Sequence, residues 1–362
     1  MTGFVEPLLR PDLRNRSPYG APQLDVAIRL NTNENSYRLP DGVSTAIAES
    51  LAAVVPDLNR YPDREAVSLR RELADYLGHG VTSDRVWAAN GSNEILQQLL
   101  QAFGGTGRTA MGFTPSYSMH PVLAAATGTG WHDGERATDF TLTPQRVADQ
   151  ITRYRPDVVF LCSPNNPTGT ALDPRVITTA LEASSGLVVV DEAYAEFARE
   201  GSVSAVELLE GHERLVVTRT MSKAFGLAGA RVGYLIADAD IVDAVQLVRL
   251  PYHLSSLTQA AAVAALKHRA ELLVNVDRIR AQRDRLVTEL EGMGMTVAPS
   301  DANFVLFGGM ADSAAVWRSL VDRGVLIRDV GIPGWLRVTA GTASETDAFL
   351  AALSDVLAQD VG

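Results

Sequence analysis

The sequence has little of several features that define large protein classes. It contains one cysteine, Cys162, in 362 residues, so an intramolecular disulfide is impossible, which is typical of a reducing cytoplasm. It has no uninterrupted run of about 18 apolar residues, which a membrane-spanning helix requires. Its N-terminus has no apolar stretch of signal-peptide length. We therefore expect a soluble, cytoplasmic protein.

Basic residues are outnumbered as well. The chain has 32 Lys and Arg against 43 Asp and Glu, a net charge of −11. Nucleic-acid binding needs clustered cations, so nucleic acid is not expected as the main partner, although a small anion pocket remains possible. No histidine stands at metal-ligand spacing with Cys or another His. No metal site is predicted, and each histidine is interpreted as a surface or capping residue: His79, His120, His132, His212, His253 and His268.

Motifs for nucleotide cofactors are also missing. The glycine-rich segment 104–109, GGTGRT, is not followed by the Gly-Lys-Ser/Thr of a phosphate-binding Walker loop. No G-x-G-x-x-G follows a strand with an acidic residue about 20 positions further on. Both absences argue against an ATPase and a dinucleotide-dependent dehydrogenase.

The pattern of apolar residues predicts an α/β protein with more than one lobe. Short apolar runs typical of buried strands alternate with helix-like segments, which indicates a mostly parallel central sheet flanked by helices. The strand-like runs are 85–90, 109–113, 157–163, 186–194 and 214–220, and the helix-like segments include 64–78, 93–104 and 174–185. A chain of this length exceeds the usual size of one core.

Three regions are expected along the chain. Residues 1–40 contain five prolines and read as an arm that packs with the smaller domain or with a partner subunit. Residues 41–250 are predicted to form a large domain, and residues 251–362 a smaller α+β domain. In this last region a helix is predicted over 270–294, and strands over 302–308, 325–330 and 336–341.

Polar residues directly follow several of the apolar runs. Ligands of open parallel sheets bind beyond the carboxyl ends of the strands, so these residues are candidates for a site. Segment 90–94, NGSNE, either binds phosphate at a helix N-terminus or forms an ordinary cap. The turn 163–170, SPNNPTGT, either presents an amide to a ligand or has no ligand. Asp191 ends the apolar run VVVD, as a cap or as the partner of a buried cation, and Tyr194 lies close by.

Segment 218–234, TRTMSKAFGLAGARVGY, adds a lone lysine after a strand. Lys223 alone would be a surface residue in most chains. Ser222 and Arg231 beside it are good phosphate ligands, and a deprotonated lysine is a nucleophile. Two phosphate-binding elements, a lysine, a strand-end aspartate and a turn asparagine together fit the needs of a pyridoxal phosphate site.

The motifs TMSKAFGLAGARVGY, DEAY, SPNNPTG and GSNE resemble those of the fold-type I pyridoxal-phosphate-dependent aminotransferases. Within that group the chain resembles the class II-like histidinol-phosphate aminotransferases nearly end to end. The lysine and NPTG motifs are typical of the whole superfamily. The narrower resemblance depends on the N-terminal PYG and LNTNEN and on the paired arginines of LIRDV and LRVTAGT.

The resemblance implies a role for each candidate at the cofactor. Lys223 would bind pyridoxal 5′-phosphate covalently and move the proton during catalysis, and Asp191 would pair with the ring nitrogen. Asn166 and Tyr194 would contact the 3′ oxygen, and Tyr117 would stack on the ring. The residues implied for the phosphate are Ser92, Asn93, Thr220, Ser222 and Arg231, together with Tyr61 from the other subunit of a homodimer.

The resemblance also implies a substrate and its contacts. The reaction would be a ping-pong transamination between L-histidinol phosphate and 2-oxoglutarate, giving imidazole-acetol phosphate and L-glutamate in L-histidine biosynthesis. Arg337, Arg328 and Tyr19 would bind the substrate phosphate, and Arg337 would bind the carboxylate of the co-substrate. Asn33 and Tyr252 would border the imidazole pocket, or serve a structural role only.

Two departures from the family pattern and three alternatives remain open. The segment GLAGARVGY is rich in glycine, although Arg231 stays in register. Asn93 stands where many relatives have Asp, which bears on substrate preference. An aromatic amino acid aminotransferase of the same fold is the nearest alternative, because an imidazole pocket can admit a phenyl ring. A non-catalytic pyridoxal-phosphate-binding regulator is more distant, since residues 1–40 leave no room for a DNA-binding domain. A related C–S lyase or decarboxylase is a third alternative.

Overall fold

The computed structural model describes residues 5–14, 17–18 and 20–359, without the side chains of Glu6 and Asp12. The strands are β1 (Ile28–Arg29), β2 (Val86–Ala89), β3 (Thr109–Thr114), β4 (Gly130–Glu135), β5 (Val158–Cys162), β6 (Leu187–Asp191), β7 (Leu215–Thr220), β8 (Gly233–Ile236), β9 (Thr296–Val297), β10 (Phe304–Gly308), β11 (Val325–Leu326), β12 (Arg328–Asp329) and β13 (Trp335–Thr339).

The helices lie between these strands and after them. They are α1 (Asp41–Val54), α2 (Val67–Leu77), α3 (Ser92–Phe103), α4 (Met119–Thr127), α5 (Pro144–Tyr154), α6 (Pro174–Ala183), α7 (Ala239–Gln246), α8 (Ser256–Lys267), α9 (Arg269–Gly292), α10 (Ser313–Asp322) and α11 (Ala343–Gln359). None of the helices in the described ranges is both long and apolar enough to cross a membrane.

A seven-stranded sheet forms the centre of the molecule, in the order β2-β8-β7-β6-β5-β3-β4. The pairs β3–β4, β3–β5, β5–β6 and β6–β7 are parallel, and β8 runs antiparallel to both of its neighbours. Every residue of β5 and β6 is buried, as expected for strands covered by helices on both faces. The predicted fold class, a mostly parallel sheet flanked by helices, is confirmed.

The C-terminal part contains a second, smaller sheet with a different pattern. Strands β12, β13, β10 and β9 form an antiparallel sheet in that order. The predicted strand over 325–330 is wrong as a single element, because it divides into β11 and β12, which belong to different sheets. Strand β11 instead pairs in parallel with β1, Ile28 opposite Val325 and Arg29 opposite Leu326.

The register of β8 determines which loops meet at the carboxyl edge of the central sheet. Gly233 is paired with Ala89 on one side and with Thr220 on the other. Since β8 is antiparallel, its first residue lies at the edge where β2 and β7 end. The start of α3, which follows β2, is thereby placed beside the segment that follows β7. A Cβ at Gly233 would collide with the backbone N of Ser92, so only glycine permits this approach.

Candidate active site

A cavity of about 640 Å³ opens at the carboxyl edge of the central sheet. Strands β2, β3, β5, β6 and β7 all contribute residues to it from their carboxyl ends, as expected for a parallel sheet. The predicted site residues that line this cavity are Asn33, Ser92, Asn93, Tyr117, Asn166, Asp191, Tyr194, Thr220, Ser222, Lys223, Arg231, Arg328 and Arg337.

Lys223 lies three residues after the end of β7, within the cavity wall. Its Nζ donates a hydrogen bond of 2.9 Å to the backbone carbonyl of Thr32. Part of its surface faces the cavity, yet the surrounding protein lowers the pKa of the amine to about 8 by burial, and Arg337 and Arg231 act in the same direction. At a given pH, the Lys223 amine is therefore neutral in a larger fraction of molecules than the amine of a free lysine. An amine must be neutral to act as a nucleophile.

Asp191, at the end of β6, is a buried carboxylate that contacts two polar side chains. Its Oδ1 accepts a hydrogen bond of 3.2 Å from the Thr218 hydroxyl, and its Oδ2 lies 3.4 Å from Nε2 of His120. The His120 ring stacks on Phe160 at 4.7 Å and is 1% exposed. The interpretation of His120 as a surface or capping residue is wrong, because the ring is buried and lies against Asp191.

Asn166, Tyr194 and Arg337 form a connected polar group. The Tyr194 hydroxyl accepts hydrogen bonds from Nδ2 of Asn33 at 3.0 Å and from Nδ2 of Asn166 at 3.3 Å. Oδ1 of Asn166 accepts a hydrogen bond from Nη1 of Arg337. Burial is the main cause that raises the pKa of the Tyr194 phenol, so this side chain remains a neutral hydroxyl that can donate to an oxygen in the cavity.

The N-terminus of α3, Ser222 and Arg231 form a cradle for an anion. Nη1 of Arg231 donates to the Ser222 hydroxyl at 3.3 Å, and the Thr220 hydroxyl lies 3.0 Å from the same Ser222 oxygen. Gly91 has φ +85°, and a Cβ there would collide with the Arg231 guanidinium. The first N–H groups of α3 have no intrahelical acceptors. Hydroxyl, guanidinium and helix dipole therefore converge on a place suited to a phosphate.

Two arginines face each other at the other side of the site. Arg328 and Arg337 are direct partners in the antiparallel pair β12–β13. Like charges opposite each other in a sheet are destabilising. Within the described residues, Nη1 of Arg328 is buried without a hydrogen-bond partner. Arg337 is anchored, its Nη2 donating to the Asn31 carbonyl at 2.9 Å. The pair is suited to a dianionic ligand that would offset both charges.

Tyr117 and Asn93 link the loop after β3 to the start of α3. The Tyr117 hydroxyl donates a hydrogen bond of 3.1 Å to Oδ1 of Asn93. The Tyr117 ring meets His120 edge to face, with centroids 5.3 Å apart. This hydrogen bond fixes the orientation of the Asn93 amide, and Asn93 lines the cavity.

Three predicted residues are not among those lining the cavity. Tyr61 and Tyr252 stack on each other at 4.4 Å and are 80% and 41% exposed. Tyr19 lies outside the described residues. Tyr61 and Tyr252 therefore do not line the cavity of their own chain.

The donor set fits pyridoxal phosphate. The cavity provides a lysine amine of lowered pKa, a buried carboxylate for a ring nitrogen, hydroxyl and amide donors for a phenolic oxygen, and an anion cradle. Sequence patterns missed His120 and the Thr32 carbonyl. A backbone carbonyl leaves no mark in the sequence, because every residue type carries one.

The comparisons with known proteins agree with this class of site. The sequence model of the aminotransferase class I and II family matches residues 25–353, and the chain belongs to that family. It is 62% identical over 361 residues to the histidinol-phosphate aminotransferase of Frankia casuarinae, covering 98% of this chain and 91% of that protein. It is 58% identical over 352 residues to the protein of the same name from Paenarthrobacter aurescens, covering 96% and 95%.

A solved structure gives the same result for the fold. The histidinol-phosphate aminotransferase of Sinorhizobium meliloti, crystallised in complex with pyridoxal 5′-phosphate, superposes with a TM-score of 0.81 at 27% identity. The alignment covers 92% of each chain. Similarity of fold therefore extends over most of the chain.

Proposed function

We propose that the protein is a pyridoxal-phosphate-dependent histidinol-phosphate aminotransferase. It interconverts L-histidinol phosphate and 2-oxoglutarate with imidazole-acetol phosphate and L-glutamate, a step of L-histidine biosynthesis. The observation that carries the proposal is the meeting of Lys223, Asp191 and the anion cradle in one cavity whose far wall holds two opposed arginines. The relatives at 62% and 58% identity support this substrate.

The residues that would hold the cofactor follow from the donor set. Asp191, supported by His120 and Thr218, would keep a ring nitrogen protonated. Asn166 and Tyr194 would donate to the phenolic oxygen, and Tyr117 would cover the ring. Ser92, Asn93, Thr220, Ser222 and Arg231 would hold the phosphate. When bound, the cofactor supplies an electron sink that makes the Cα proton of the substrate acidic.

Lys223 is the proton carrier of the proposed reaction. Its amine has a pKa of about 8, close to neutral pH, so Nζ can accept a proton from Cα and return it without a large energy cost in either direction. The Thr32 carbonyl, 2.9 Å from Nζ, orients the amine. Neither step needs a second general base.

Arg328 and Arg337 allow one site to accept two substrates in turn. The phosphate of L-histidinol phosphate is a dianion and can offset both guanidinium charges. The keto acid 2-oxoglutarate presents a carboxylate, for which Arg337 alone suffices. Asn33, held between Tyr194 and Thr339, would border the imidazole part of the substrate. Tyr252 would do the same or serve a structural role only.

The test separates this reaction from its nearest alternative. The purified pyridoxal phosphate form is mixed separately with L-histidinol phosphate, L-phenylalanine and L-aspartate, and its absorbance change to the pyridoxamine form is followed. Fast conversion by L-histidinol phosphate is expected. Conversion by L-phenylalanine alone would assign the protein to the aromatic amino acid aminotransferases instead.

The assembly and the division of the chain are part of the same proposal. We propose a cytoplasmic homodimer in which Tyr61 contacts the cofactor phosphate of the partner subunit, with an arm over 1–40, a large domain over 41–250 and a small domain over 251–362. The exposure of Tyr61 supports the shared site.

Mixed dimers of Lys223→Ala and Tyr61→Ala chains should regain activity, because one of their two sites is then intact. Mixtures as inactive as the separate variants would contradict the shared site.

A further inference from the structure

The three carboxylates that line the cavity differ in their exposure and in the hydrogen bonds that they accept. Glu34, Asp191 and Asp329 line the cavity. Asp191 is buried and supported by Thr218, and Asp329 accepts a backbone hydrogen bond within its own turn. Glu34 is exposed, and the one hydrogen bond that another described residue makes to it comes from the Thr32 hydroxyl at 2.9 Å. Glu34 and Asp329 are thus the two exposed carboxylates of the lining, and Glu34 is the one whose charge acts on Lys223.

The backbone on both sides of Glu34 is fixed. Nδ2 of the preceding Asn33, a buried residue, donates to the Tyr194 hydroxyl at 3.0 Å. Nδ2 of the following Asn35 donates to the Ala224 carbonyl at 3.3 Å, next to the cavity lysine. Glu34 is therefore presented from an ordered stretch of chain rather than from a free loop, which a residue that selects ligands requires.

The charge of Glu34 affects the ionisation of a group inside the cavity. It raises the pKa of the Lys223 amine, against the lowering by burial, Arg337 and Arg231. The other charged groups of the lining besides the carboxylates are cations: Lys223, Arg231, Arg328 and Arg337. An anionic part of a substrate is attracted by the arginines and repelled by Glu34, whereas an N–H donor is favoured beside Glu34.

We propose that Glu34 determines specificity by accepting a hydrogen bond from an N–H of a basic heterocycle on the substrate, while Arg328 and Arg337 bind the anionic group. The inference rests on the proposed function, in which the heterocycle is the imidazole ring. Glu34 has two effects on substrate selection. It stabilises a bound imidazole or imidazolium, and it repels a substrate that places a carboxylate beside it. It is an exposed group, so its attraction is modest.

The test compares two substrates that use the same lysine and arginines. Glu34→Gln keeps an oxygen for the Thr32 hydroxyl and removes the charge. The half-saturating concentrations of L-histidinol phosphate and of L-glutamate are measured for conversion of the pyridoxal phosphate form. We expect a rise of about fivefold for L-histidinol phosphate and no rise for L-glutamate, which has no ring. Calorimetry with the pyridoxamine form, which does not turn over L-histidinol phosphate, should show the same loss of affinity.

A second variant isolates the effect of charge. Asp329→Asn removes an equal charge from the lining of the same cavity, and we expect it to change the half-saturating concentrations of both substrates in parallel. Equal changes for both substrates in Glu34→Gln, or an unaltered calorimetric affinity for L-histidinol phosphate, would overturn the role of Glu34 alone. A wild-type protein that L-glutamate converts but L-histidinol phosphate does not would overturn the proposed function, and this inference with it.

Discussion

Lys223 lies among groups that oppose its positive charge. Burial, Arg337 and Arg231 lower the pKa of its amine to about 8, and Glu34 counteracts them only in part. In the unfolded chain the same amine has a pKa near 10.4. The cofactor-free folded state therefore binds this proton less tightly than the unfolded state does, and the reactivity of the lysine is linked to stability.

Replacing the lysine should make this linkage visible. We expect Lys223→Met to lower turnover at least about a hundredfold. In the cofactor-free protein, the wild type should gain stability relative to Lys223→Met as pH rises from about 8 towards 10, because only the unfolded state still holds the proton there. Below pH 8 the difference should be flat. Urea unfolding of both proteins at pH 7, 8, 9 and 10 measures it, and a difference independent of pH would contradict the lowered pKa.

The sequence predicted some residues of the cavity better than others. Lys223 and Asp191 follow directly on apolar runs, so the rule for parallel sheets placed them at the carboxyl edge. His120 could not be found in this way, since a histidine in the first turn of α4 has no local pattern that indicates Asp191 as its neighbour. Thr32 contributes a backbone carbonyl, which any residue type would supply.

At the scale of elements, one antiparallel strand organises the anion cradle. Strand β8 sets Gly233 between Ala89 and Thr220, which brings the loop after β2 against the segment after β7. Alternating apolar runs indicate that a sheet is mostly parallel, but they do not encode the direction of a single short strand. The division of 325–330 into β11 and β12 was missed for a related reason, because the short segment VLIRDV gives no sign that the chain changes sheets at Ile327.

Two glycines test the cradle as a matched pair. Gly91 has φ +85° and Gly107 has φ +84°, but a Cβ would meet the Arg231 guanidinium at the first and nothing within 4 Å at the second. Both alanine variants should lose about 1 kcal/mol of unfolding free energy from backbone strain. Gly91→Ala should in addition bind pyridoxal phosphate more weakly, as measured by titration of the cofactor-free protein, while Gly107→Ala should bind it normally. Equal affinities would show that Arg231 needs no such space.

At the scale of the whole molecule, the connection between α7 and α8 presents an apolar surface. Leu247 and Leu250 are 85% and 73% exposed. Arg249 between them donates to Glu65 at 2.9 Å, which ties this connection to the segment of Tyr61. The two leucines lie beside the segment of the tyrosine that the proposed dimer places in the partner's site, so we propose that they belong to the dimer contact.

Charges on this surface should separate the subunits. We expect the double variant Leu247→Glu, Leu250→Glu to sediment as a species of the 38.8 kDa chain mass and to lose activity, because buried unpaired carboxylates disfavour an interface. Val203→Glu, at an aliphatic residue that is 45% exposed outside this surface, should remain a dimer. An active monomer would contradict a site completed across the interface.

The parallel pair β1–β11 has a consequence for how the protein is made. Strand β1, which leads to Thr32, pairs with Val325 and Leu326, almost 300 residues later in the chain. At a synthesis rate of roughly 10 residues per second, the early strand waits about half a minute on the ribosome before that partner exists. The lysine loop is synthesised about 10 seconds before then at the same rate. The reactive amine is therefore synthesised before β11, the partner of the strand that leads to Thr32, and before Arg328 and Arg337, which are among the last residues in the chain to line the cavity.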